Sequence, residues 1–290
     1  MTIFNLGSIN ADLFYHLPHL PAPGETLAST EFRRGLGGKG ANMSVAAARA
    51  AGHVVHIGAV GTDGRWAVER LLEYGVDTRH IAELGDTTGH AIILIDAAGE
   101  NQIVLYPGAN VALGQGQVTA ALAGATPSDS LMFQNETNLQ SFAAGLGQQK
   151  GMRVVYAAAP FDAEAVHGVI DRIDLLVLNQ VEAAQLEAAL GRGLGDLGIS
   201  DIVVTLGAEG CRHLECQSGS DRHYPGIKVA AVDTTGAGDT FTGYLVAGLD
   251  RGMPMDQAIG RAQRAGALMV TRQGTADVIP DLRDLEDFRP

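Results

Sequence analysis

Short apolar runs separated by polar turns dominate the first part of the chain. The run Ile3–Leu6 predicts a buried strand, and the run at 54–60 predicts a second one. Between them, residues 41–51 are almost all helix formers and are followed by Gly52. This pattern favours a helix that ends at a glycine. Residues 66–74 show a further helical pattern after the second strand.

The later part of the chain alternates apolar runs with helical patterns. Continuously apolar runs divided by helices are typical of strands that are buried on both faces of a parallel sheet. The runs lie at 131–133, 154–156, 175–178 and 202–205. Two helical patterns, at 239–251 and 255–271, close this part. We therefore expect an α/β fold with a three-layer α/β/α arrangement around a doubly wound, mostly parallel sheet.

Two stretches do not fit such a sheet because their strands carry many polar residues. Each consists of two short strands around a turn, which is the pattern of a hairpin. The four strands are expected at 11–17, 27–33, 91–95 and 102–105. We predict that these hairpins, near residues 11–34 and 88–106, form a small accessory β layer. This layer would belong to a single domain that spans residues 1–290.

Composition narrows the classes of partner. The chain has 290 residues, of which 46% are hydrophobic and 18% charged, so a large core is expected. The formal net charge is −13, and Lys and Arg form no cluster. A nucleic acid or an anionic membrane is therefore not expected as a partner. Backbone N–H groups can still bind a phosphate locally on an acidic protein.

The compartment is predicted from three features. The N-terminus has no basic and apolar leader, and no run of about 18 apolar residues is present. Cys211 and Cys216 are the only cysteines, and their odd separation would direct them to opposite faces of one strand. We expect both to be structural thiols in a reducing compartment, and we expect the protein in the cytoplasm.

The stretch 35-GLGGKGAN-42 contains glycines at the spacing of a dinucleotide-binding loop. The residues before it, 29–34, are polar, whereas such a loop needs an apolar strand there. A nucleotide P-loop is also excluded, because Lys39 is followed by Gly40 rather than by Ser or Thr. Two interpretations remain: a flexible turn that begins a helix, or a turn where Lys39 and Asn42 converge on a hydroxyl-rich ligand.

The stretch 233-DTTGAGDTF-241 lies between an apolar run at 229–232, expected to be a strand, and a helical pattern. Backbone N–H groups at a helix start lack partners and attract anions. Four such groups are expected here, those of Gly236, Ala237, Gly238 and Asp239. The Asp239 carboxylate could cap the helix. Alternatively, it could take a proton from a hydroxyl that attacks phosphorus.

Three stretches together resemble the PfkB carbohydrate kinases, and within them the ribokinase branch. They are 7-GSINAD-12, 37-GGKGAN-42 and 233-DTTGAGDTF-241. Further matches follow in the same order: Gly99-Glu100-Asn101, Gly108-Ala109-Asn110, Glu136, Asn179-x-x-Glu182, Thr205-Leu206-Gly207 and Thr271-Arg272-Gln273-Gly274. The resemblance covers the chain from Leu6 to about Pro280. It implies a ribokinase-like fold and an ATP-dependent kinase for the primary hydroxyl of a small sugar, D-ribose first among them.

The resemblance also implies roles for residues on the sugar side. Asp239 would be the catalytic base. The backbone of Gly236, Ala237 and Gly238 would form the anion hole for the transferring phosphoryl group. The residues that would bind the sugar are Asn10, Asp12, Gly38, Lys39, Asn42, Glu136 and Asp239 itself. The resemblance further implies that the segments at about 10–37 and 88–110 form a small β-sheet lid. The lid would cover the sugar and pair with a second subunit, which implies a homodimer.

On the nucleotide side, the resemblance implies ATP, Mg²⁺ and K⁺ as cofactors. The residues near ATP would be Asn179, Glu182, Thr205, Gly207 and Gly210. Glu182 would also hold Mg²⁺ through water. A monovalent cation, typically K⁺, would bind beneath the anion hole at Asp233, Thr235 and Gly274. Val278 stands near this site where the family often has a small polar residue.

Two alternative functions come from the same residues. The chain could be a kinase for another sugar, a sugar acid or a nucleoside, although aromatic residues make up only 5% of it and an aromatic-lined base pocket would need more. It could also be a sugar-binding sensor without catalysis. The presence of Asp239, Asn179 and Glu182 argues against a sensor. Two departures from the family are Ala157, where the family often has Asn, and a shortened segment at 191–196.

Overall fold

The computed structural model describes residues 1–289. It contains thirteen strands. They are β1 Ile3–Leu6, β2 Asn10–His16, β3 Glu31–Gly37, β4 Val54–Gly61, β5 Asp77–Leu84, β6 Gly89–Ile95, β7 Asn101–Tyr106, β8 Ser130–Phe133, β9 Arg153–Ala157, β10 Leu175–Asn179, β11 Asp201–Thr205, β12 Gly210–Glu215 and β13 Ser220–Pro225. The α-helices are α1 Lys39–Arg49, α2 Arg65–Glu73, α3 Gln115–Ala121, α4 Gln140–Gln149, α5 Ala163–Val169, α6 Gln180–Leu190, α7 Ala237–Asp250, α8 Met255–Met269 and α9 Leu282–Asp287.

Nine strands form the central sheet in the order β13-β12-β11-β10-β9-β8-β1-β4-β5. All neighbours from β11 to β5 run parallel, whereas β12 and β13 add to one edge in antiparallel fashion. The predicted mostly parallel sheet is therefore confirmed. Strands β5, β12 and β13 were not predicted, because their alternating, half-exposed residues give no continuous apolar run.

Helices cover both faces of this sheet and complete the predicted three layers. One buried cluster joins one face of the sheet to α1, α2, α7 and α8. A second cluster joins the opposite face to α3, α4, α5 and α6. The strand residues between them are buried on both sides, as in Val54–Gly61. The doubly wound arrangement follows from these continuously apolar strands, because each face of such a strand must be covered.

A second, smaller sheet has the order β3-β2-β6-β7. The pairs β2–β3 and β6–β7 are antiparallel hairpins, and β2 runs parallel to β6. The strand expected at 27–33 was placed too early, since β3 covers Glu31–Gly37. Its glycine-rich end pairs fully with β2, because ladder hydrogen bonds use backbone atoms and do not require an apolar side chain.

The strand expected at 229–232 is wrong. These residues follow the edge strand β13 and form no ladder. Only the N–H groups of Val232 and Asp233 make a backbone contact, with the carbonyl of Val270. Val232 is 66% exposed. An apolar run predicts a strand only where an unpaired sheet edge is available, and this segment crosses the surface towards α7.

The cysteines lie as their spacing predicts. Cys211 is buried in the cluster that contains α1 and α7, and Cys216 packs against the opposite cluster. Both are free thiols. Within residues 1–289, none of the helices combines the length and the apolar character that crossing a bilayer requires.

Candidate active site

Two helices begin next to one another at one side of the central sheet. Gly38 precedes α1 with a φ of 92°, and Gly236 precedes α7 with a φ of 73°. Both backbones lie in the left-handed region that glycine adopts without strain. The Nδ2 group of Asn42, in the first turn of α1, donates a hydrogen bond of 2.9 Å to Oδ2 of Asp239 in the first turn of α7. The two glycine-rich stretches of the sequence therefore meet.

Asp239 is not the N-cap that one interpretation of the sequence allowed. Helix α7 begins at Ala237, so Asp239 is its third residue, and its side chain makes no capping bond. The carboxylate is 7% exposed. The Ala237 N–H donates to the carbonyl of Thr234 at 3.3 Å, so one of the four groups expected to be unpaired has a partner. The N–H groups of Gly236, Gly238 and Asp239 donate to no acceptor among residues 1–289.

The start of α1 is held by residues from other elements. The Glu136 Oε2 atom accepts hydrogen bonds from the Ser8 hydroxyl at 2.6 Å and from the Lys39 N–H at 2.9 Å. The Ser8 Oγ atom in turn accepts from the Gly40 N–H at 3.1 Å. A negative carboxylate at this position complements the positive end of the helix dipole. Ser8 was not among the predicted site residues, although it lies inside a stretch that carries the resemblance.

Asn10 enters the site from β2 and is oriented by a second asparagine. Its Oδ1 atom accepts from Nδ2 of Asn110 at 2.7 Å, and Oδ1 of Asn110 accepts from the Ile9 N–H at 2.9 Å. The Ile9 N–H is a donor only, so the orientation of both amides is fixed. The Nδ2 group of Asn10 remains as a donor. Asn110 was also missed, although the motif Gly108-Ala109-Asn110 contains it.

Asp12 shares the inner face of β2 with Asn10, and its carboxyl group lies directly over Gly37. A Cβ atom on Gly37 would stand 2.1 Å from Oδ2 of Asp12, so any other residue there would displace this carboxyl group. Burial raises the pKa of Asp12 to about 7, and the neighbouring carboxylates Glu136 and Asp239 add to this shift. The Arg33 guanidinium opposes it.

Lys39 is the positive charge among these carboxylates. The Asp239 carboxylate raises the pKa of Lys39, and Glu136 and Glu182 act in the same direction against burial. Burial also raises the pKa of Glu182, while the bond from the Asn179 N–H and the charge of Lys39 oppose this. These mutual effects bring Glu182 into the same electrostatic environment as Asp239, although the two residues come from opposite layers.

The Asn179-x-x-Glu182 motif begins α6. The Asn179 Oδ1 atom accepts from the N–H groups of Val181 and Glu182, both at 2.9 Å. The Glu182 Oε2 atom accepts from the Asn179 N–H at 2.8 Å. This is a reciprocal capping box, which satisfies N–H groups at the helix start. The Asn179 amide and the second oxygen of Glu182 remain for a ligand.

The predicted nucleotide residues lie at the ends of neighbouring strands. Thr205 ends β11 and pairs with Asn179 at the end of β10. Gly207 and Gly210 shape the turn that follows, with φ angles of 60° and 98°. A Cβ atom on Gly210 would stand 2.0 Å from the carbonyl oxygen of Tyr224. The carboxyl ends of parallel strands are where α/β sheets bind ligands.

The predicted cation residues are also brought together. The Asp233 carboxylate accepts from the Thr235 N–H at 2.9 Å and from the Gly274 N–H at 3.3 Å. The Val278 side chain lies beside Gly274, with methyl groups 3.2 and 3.3 Å from the position that a Cβ atom on Gly274 would take. Valine has no oxygen in its side chain, so Val278 can offer a cation no side-chain ligand. Within residues 1–289, no group of three or more His, Cys, Asp or Glu side chains is arranged to hold a metal ion.

This arrangement defines a class of enzyme. A buried carboxylate stands beside unpaired N–H groups and a lysine, and polar side chains from the small sheet face them. The carboxylate can accept a proton from a hydroxyl group, and the N–H groups can hold the charge of a phosphoryl group. The fold and the site together are those of a phosphotransferase with an alcohol group as acceptor.

The chain belongs to the pfkB family of carbohydrate kinases, which it matches over residues 2–282. It is 36% identical over 301 residues to the ribokinase of Haemophilus influenzae, covering 99% of this chain and 98% of that relative. It is 29% identical over 303 residues to the deoxyribokinase of Salmonella typhi, with the same coverage.

Solved structures give the same result. The ribokinase of Cryptococcus neoformans in complex with ADP is 33% identical, with a TM-score of 0.84 and coverage of 99% of this chain and 98% of that one. The ribokinase of Arabidopsis thaliana complexed with ribose and ATP is 25% identical, with a TM-score of 0.85 and 99% coverage of both chains. The predicted ribokinase-like fold with a small second sheet is therefore confirmed.

Proposed function

We propose that the protein transfers the γ-phosphoryl group of ATP to the primary hydroxyl of D-ribose and forms ribose 5-phosphate. The observation that carries this proposal is the position of Asp239. It is buried, held by Asn42, and adjacent to the unpaired N–H groups that begin α7. Relatives named ribokinase, one of them complexed with ribose and ATP, support ribose as the acceptor.

In this proposal each side chain on the sugar side has one task. Asp239 takes the proton from the attacking hydroxyl, and Asn42 holds its carboxylate in place. The unpaired N–H groups of Gly236, Gly238 and Asp239 stabilise the transferring phosphoryl group, and the Ala237 N–H would join them by leaving its 3.3 Å bond to Thr234. The other hydroxyl groups of the sugar are bound by Asn10, Asp12, Gly38, Lys39 and Glu136. Such hydroxyls need donors and acceptors together, and this set supplies both.

The nucleotide would lie across the ends of β10 and β11. Thr205, Gly207 and Gly210 would line its cleft, and Asn179 would approach its phosphates. Glu182 has one carboxylate oxygen left after its capping bond. A single carboxylate suits Mg²⁺, which keeps several waters and takes its other ligands from phosphates. When bound, Mg²⁺ would neutralise phosphate charge.

We also propose that the protein acts in the cytoplasm, a reducing compartment, which agrees with its two free thiols.

A panel of acceptors tests this function. The purified protein is assayed with ATP, Mg²⁺ and K⁺ against D-ribose, 2-deoxy-D-ribose, hexoses, sugar acids and nucleosides. We expect D-ribose to give the highest kcat/KM. A higher value for 2-deoxy-D-ribose or another acceptor would assign the same chemistry to that substrate. Absence of turnover with every acceptor, together with sugar binding, would instead support a catalytically inactive sensor.

We further propose that the sheet β3-β2-β6-β7, within segments 10–37 and 88–110 of a single domain, acts as a lid. Its inner face carries Asn10 and Asp12, so closure over the sugar would exclude water. Its edge strand β7 is exposed throughout. Ile103 and Leu105 are 53% and 58% exposed. An unpaired, apolar edge strand favours association with another chain, so we propose a homodimer through the lid.

The proposed dimer predicts a mass twice that of the 30.2 kDa chain in sedimentation. Ile103→Lys should return the protein to the mass of one chain, because it puts a charge into the apolar contact. Leu72→Lys is the matched control, since Leu72 is 62% exposed on α2 and lies outside the proposed edge-strand interface. A single-chain mass for the unaltered protein, or an unchanged mass for Ile103→Lys, would refute the lid interface.

We also propose that K⁺ binds at Asp233, Thr235 and Gly274. The Asp233 oxygens keep lone pairs beyond the two N–H bonds that they accept, and backbone carbonyls can complete the shell. A cation there would order the loop beneath the anion hole. Replacing K⁺ by tetramethylammonium should lower kcat several-fold in the unaltered protein and have no further effect on Asp233→Ala. Equal activity of the unaltered protein in both salts would contradict the site.

The ionisation of Asp12 predicts a pH dependence. Its pKa is raised to about 7 in the folded protein, so the carboxyl group is protonated below that pH and ionised above it. The ionised form accepts stronger hydrogen bonds from sugar hydroxyls. We therefore expect kcat/KM for the sugar to rise with pH through a step near 7. The profile of Asp12→Asn should lack this step; a step that persists there belongs to another group.

The same shift has a consequence for stability with a definite sign. The folded pKa lies above the ordinary value of 3.8, so the folded chain binds this proton more tightly than the unfolded chain does. The contribution of Asp12 to the free energy of unfolding is therefore complete below pH 3.8 and is lost as the pH rises through 7.

A further inference from the structure

Four polar side chains behind the sugar-binding segments have no role in the proposed chemistry. They are Asn5, Ser44, His56 and Gln134, and each is 0% exposed. They come from β1, α1, β4 and the residue after β8. Burying so many polar groups costs free energy unless each is hydrogen-bonded. We refer to these four residues as the polar brace.

The hydrogen bonds of the polar brace run from Gln134 to two backbone carbonyls. The Gln134 Nε2 group donates to Oδ1 of Asn5 at 2.8 Å. The Asn5 Nδ2 group donates to the Gly40 carbonyl and to Oγ of Ser44, both at 2.8 Å. Ser44 Oγ lies 2.8 Å from Nδ1 of His56, and Nε2 of His56 lies 3.0 Å from the Gly7 carbonyl.

The Gly7 and Gly40 carbonyls fix the donor and the acceptor of each hydrogen bond in the polar brace, because a carbonyl oxygen can only accept. The Gly40 carbonyl requires the amide nitrogen of Asn5 to face it, so Ser44 receives its second N–H. Ser44 must then donate its own proton to Nδ1 of His56. The proton of His56 is therefore on Nε2 and is donated to Gly7. A neutral imidazole suits this arrangement, and burial lowers the pKa of His56 to about 4.

The two carbonyls that the polar brace binds belong to Gly7 and Gly40. Each glycine lies in one of the sugar-binding segments, 7–12 and 37–42. A Cβ atom on Gly40 would stand 2.3 Å from the Cα atom of Gly7, so the two backbones are in direct contact. Ser8, which follows Gly7, and Lys39, which precedes Gly40, both donate to Glu136. Gln134 lies two residues before Glu136. The polar brace thus reaches all three segments that supply sugar-binding residues.

We propose that Asn5, Ser44, His56 and Gln134 are positioning residues that hold the segments 7–12, 37–42 and 134–136 in register for sugar binding. They act through Gly7 and Gly40 and touch no reacting atom. An apolar cluster of equal volume would fill the space, but it would make no hydrogen bond to the Gly7 and Gly40 carbonyls. Loss of one member leaves its partners unpaired and weakens the hold on the Gly7 and Gly40 carbonyls.

Two variants test the polar brace. His56→Phe removes the donor to Gly7, and the milder Ser44→Ala removes the hydroxyl that donates to His56 and decides the question if the first variant does not fold. We expect KM for the sugar to rise about tenfold in His56→Phe and less in Ser44→Ala, while KM for ATP changes less than twofold. The matched control is Val203→Ala, a fully buried change in β11 that lowers stability elsewhere.

This inference rests on the proposed function only for the choice of sugar. A second measurement is independent of activity: amide hydrogen exchange of the protein without ligands. In His56→Phe and Ser44→Ala, the amides of residues 7–12 and 37–42 should exchange faster than in the unaltered protein, and those of residues 201–205 should exchange at the same rate. In Val203→Ala, only the amides of residues 201–205 should exchange faster. An unchanged sugar KM in both brace variants, or the same pattern of exchange in all three variants, would show that the polar brace is only part of the core. Failure of every sugar in the unaltered protein would overturn the proposed function but not the exchange result.

Discussion

Asp239→Asn should lower kcat for sugar phosphorylation by about a thousandfold, within the range found for removal of a general base. The substitution keeps the size of the side chain, and the carboxamide cannot take the proton of the attacking hydroxyl. Its oxygen can still accept from Nδ2 of Asn42, the contact that measures 2.9 Å in the unaltered chain. Sugar binding should therefore persist. Single-turnover kinetics and calorimetric titration with the sugar measure the two effects separately.

The same helix provides the control for this prediction. Asp250 lies at the other end of α7, is 3% exposed, and accepts from the Ser130 hydroxyl at 3.3 Å. Asp250→Asn makes the same chemical change in a buried aspartate far from the site, so kcat should change less than about threefold. If Asp239→Asn retained the kcat of the Asp250→Asn control, Asp239 would not be the base.

Gly37→Ala is the second change with a large expected effect. Its Cβ atom would stand 2.1 Å from Oδ2 of Asp12, a distance that forces the carboxyl group out of position. Sugar KM should rise about a hundredfold, since a carboxylate contributes roughly 1.5–3 kcal/mol per hydrogen bond. KM for ATP should change little. Steady-state kinetics with each substrate varied in turn make the distinction.

Gly35→Ala separates this contact from the general effect of adding a methyl group to β3. Gly35 lies two residues earlier on the same face, and its Cβ atom would stand 3.5 Å from the Phe14 ring, which is ordinary contact. Neither glycine has a positive φ, so the backbone tolerates alanine at both. Sugar KM for Gly35→Ala should stay within about twofold. Equal KM values for the two variants would remove Asp12 from the sugar site.

Much of the fold could be predicted because burial on both faces leaves a clear pattern. The core strands β1, β4 and β8–β11 appear as continuous apolar runs. The edge strands β5, β12 and β13 do not, since exposed positions interrupt them. The same reasoning explains the wrong strand at 229–232. An apolar run reports a tendency to be buried, and only three-dimensional context decides whether a neighbouring strand is present to pair with it.

The site was predictable in outline from motifs, but its supporting contacts were not. The spacing in 233-DTTGAGDTF-241 placed Asp239 at a helix start, yet it could not tell an N-cap from the third helical residue. Ser8 and Asn110 act through bonds to residues 128 and 100 positions away in the chain, respectively. Contacts of that range leave no periodic signal. His56 gave no signal either, since a lone histidine in an apolar strand resembles any other core position.

The capping box at the start of α6 bears on how inactive relatives should be distinguished from active ones. Asn179 and Glu182 satisfy each other's backbone groups, so selection for a stable fold alone would preserve both after catalysis is lost. Their presence is therefore a poor marker of a working kinase. Asp239 makes no bond that its own helix needs. It is free to drift in a protein that no longer transfers phosphate, and its identity is the more informative diagnostic for pseudoenzymes of this kind.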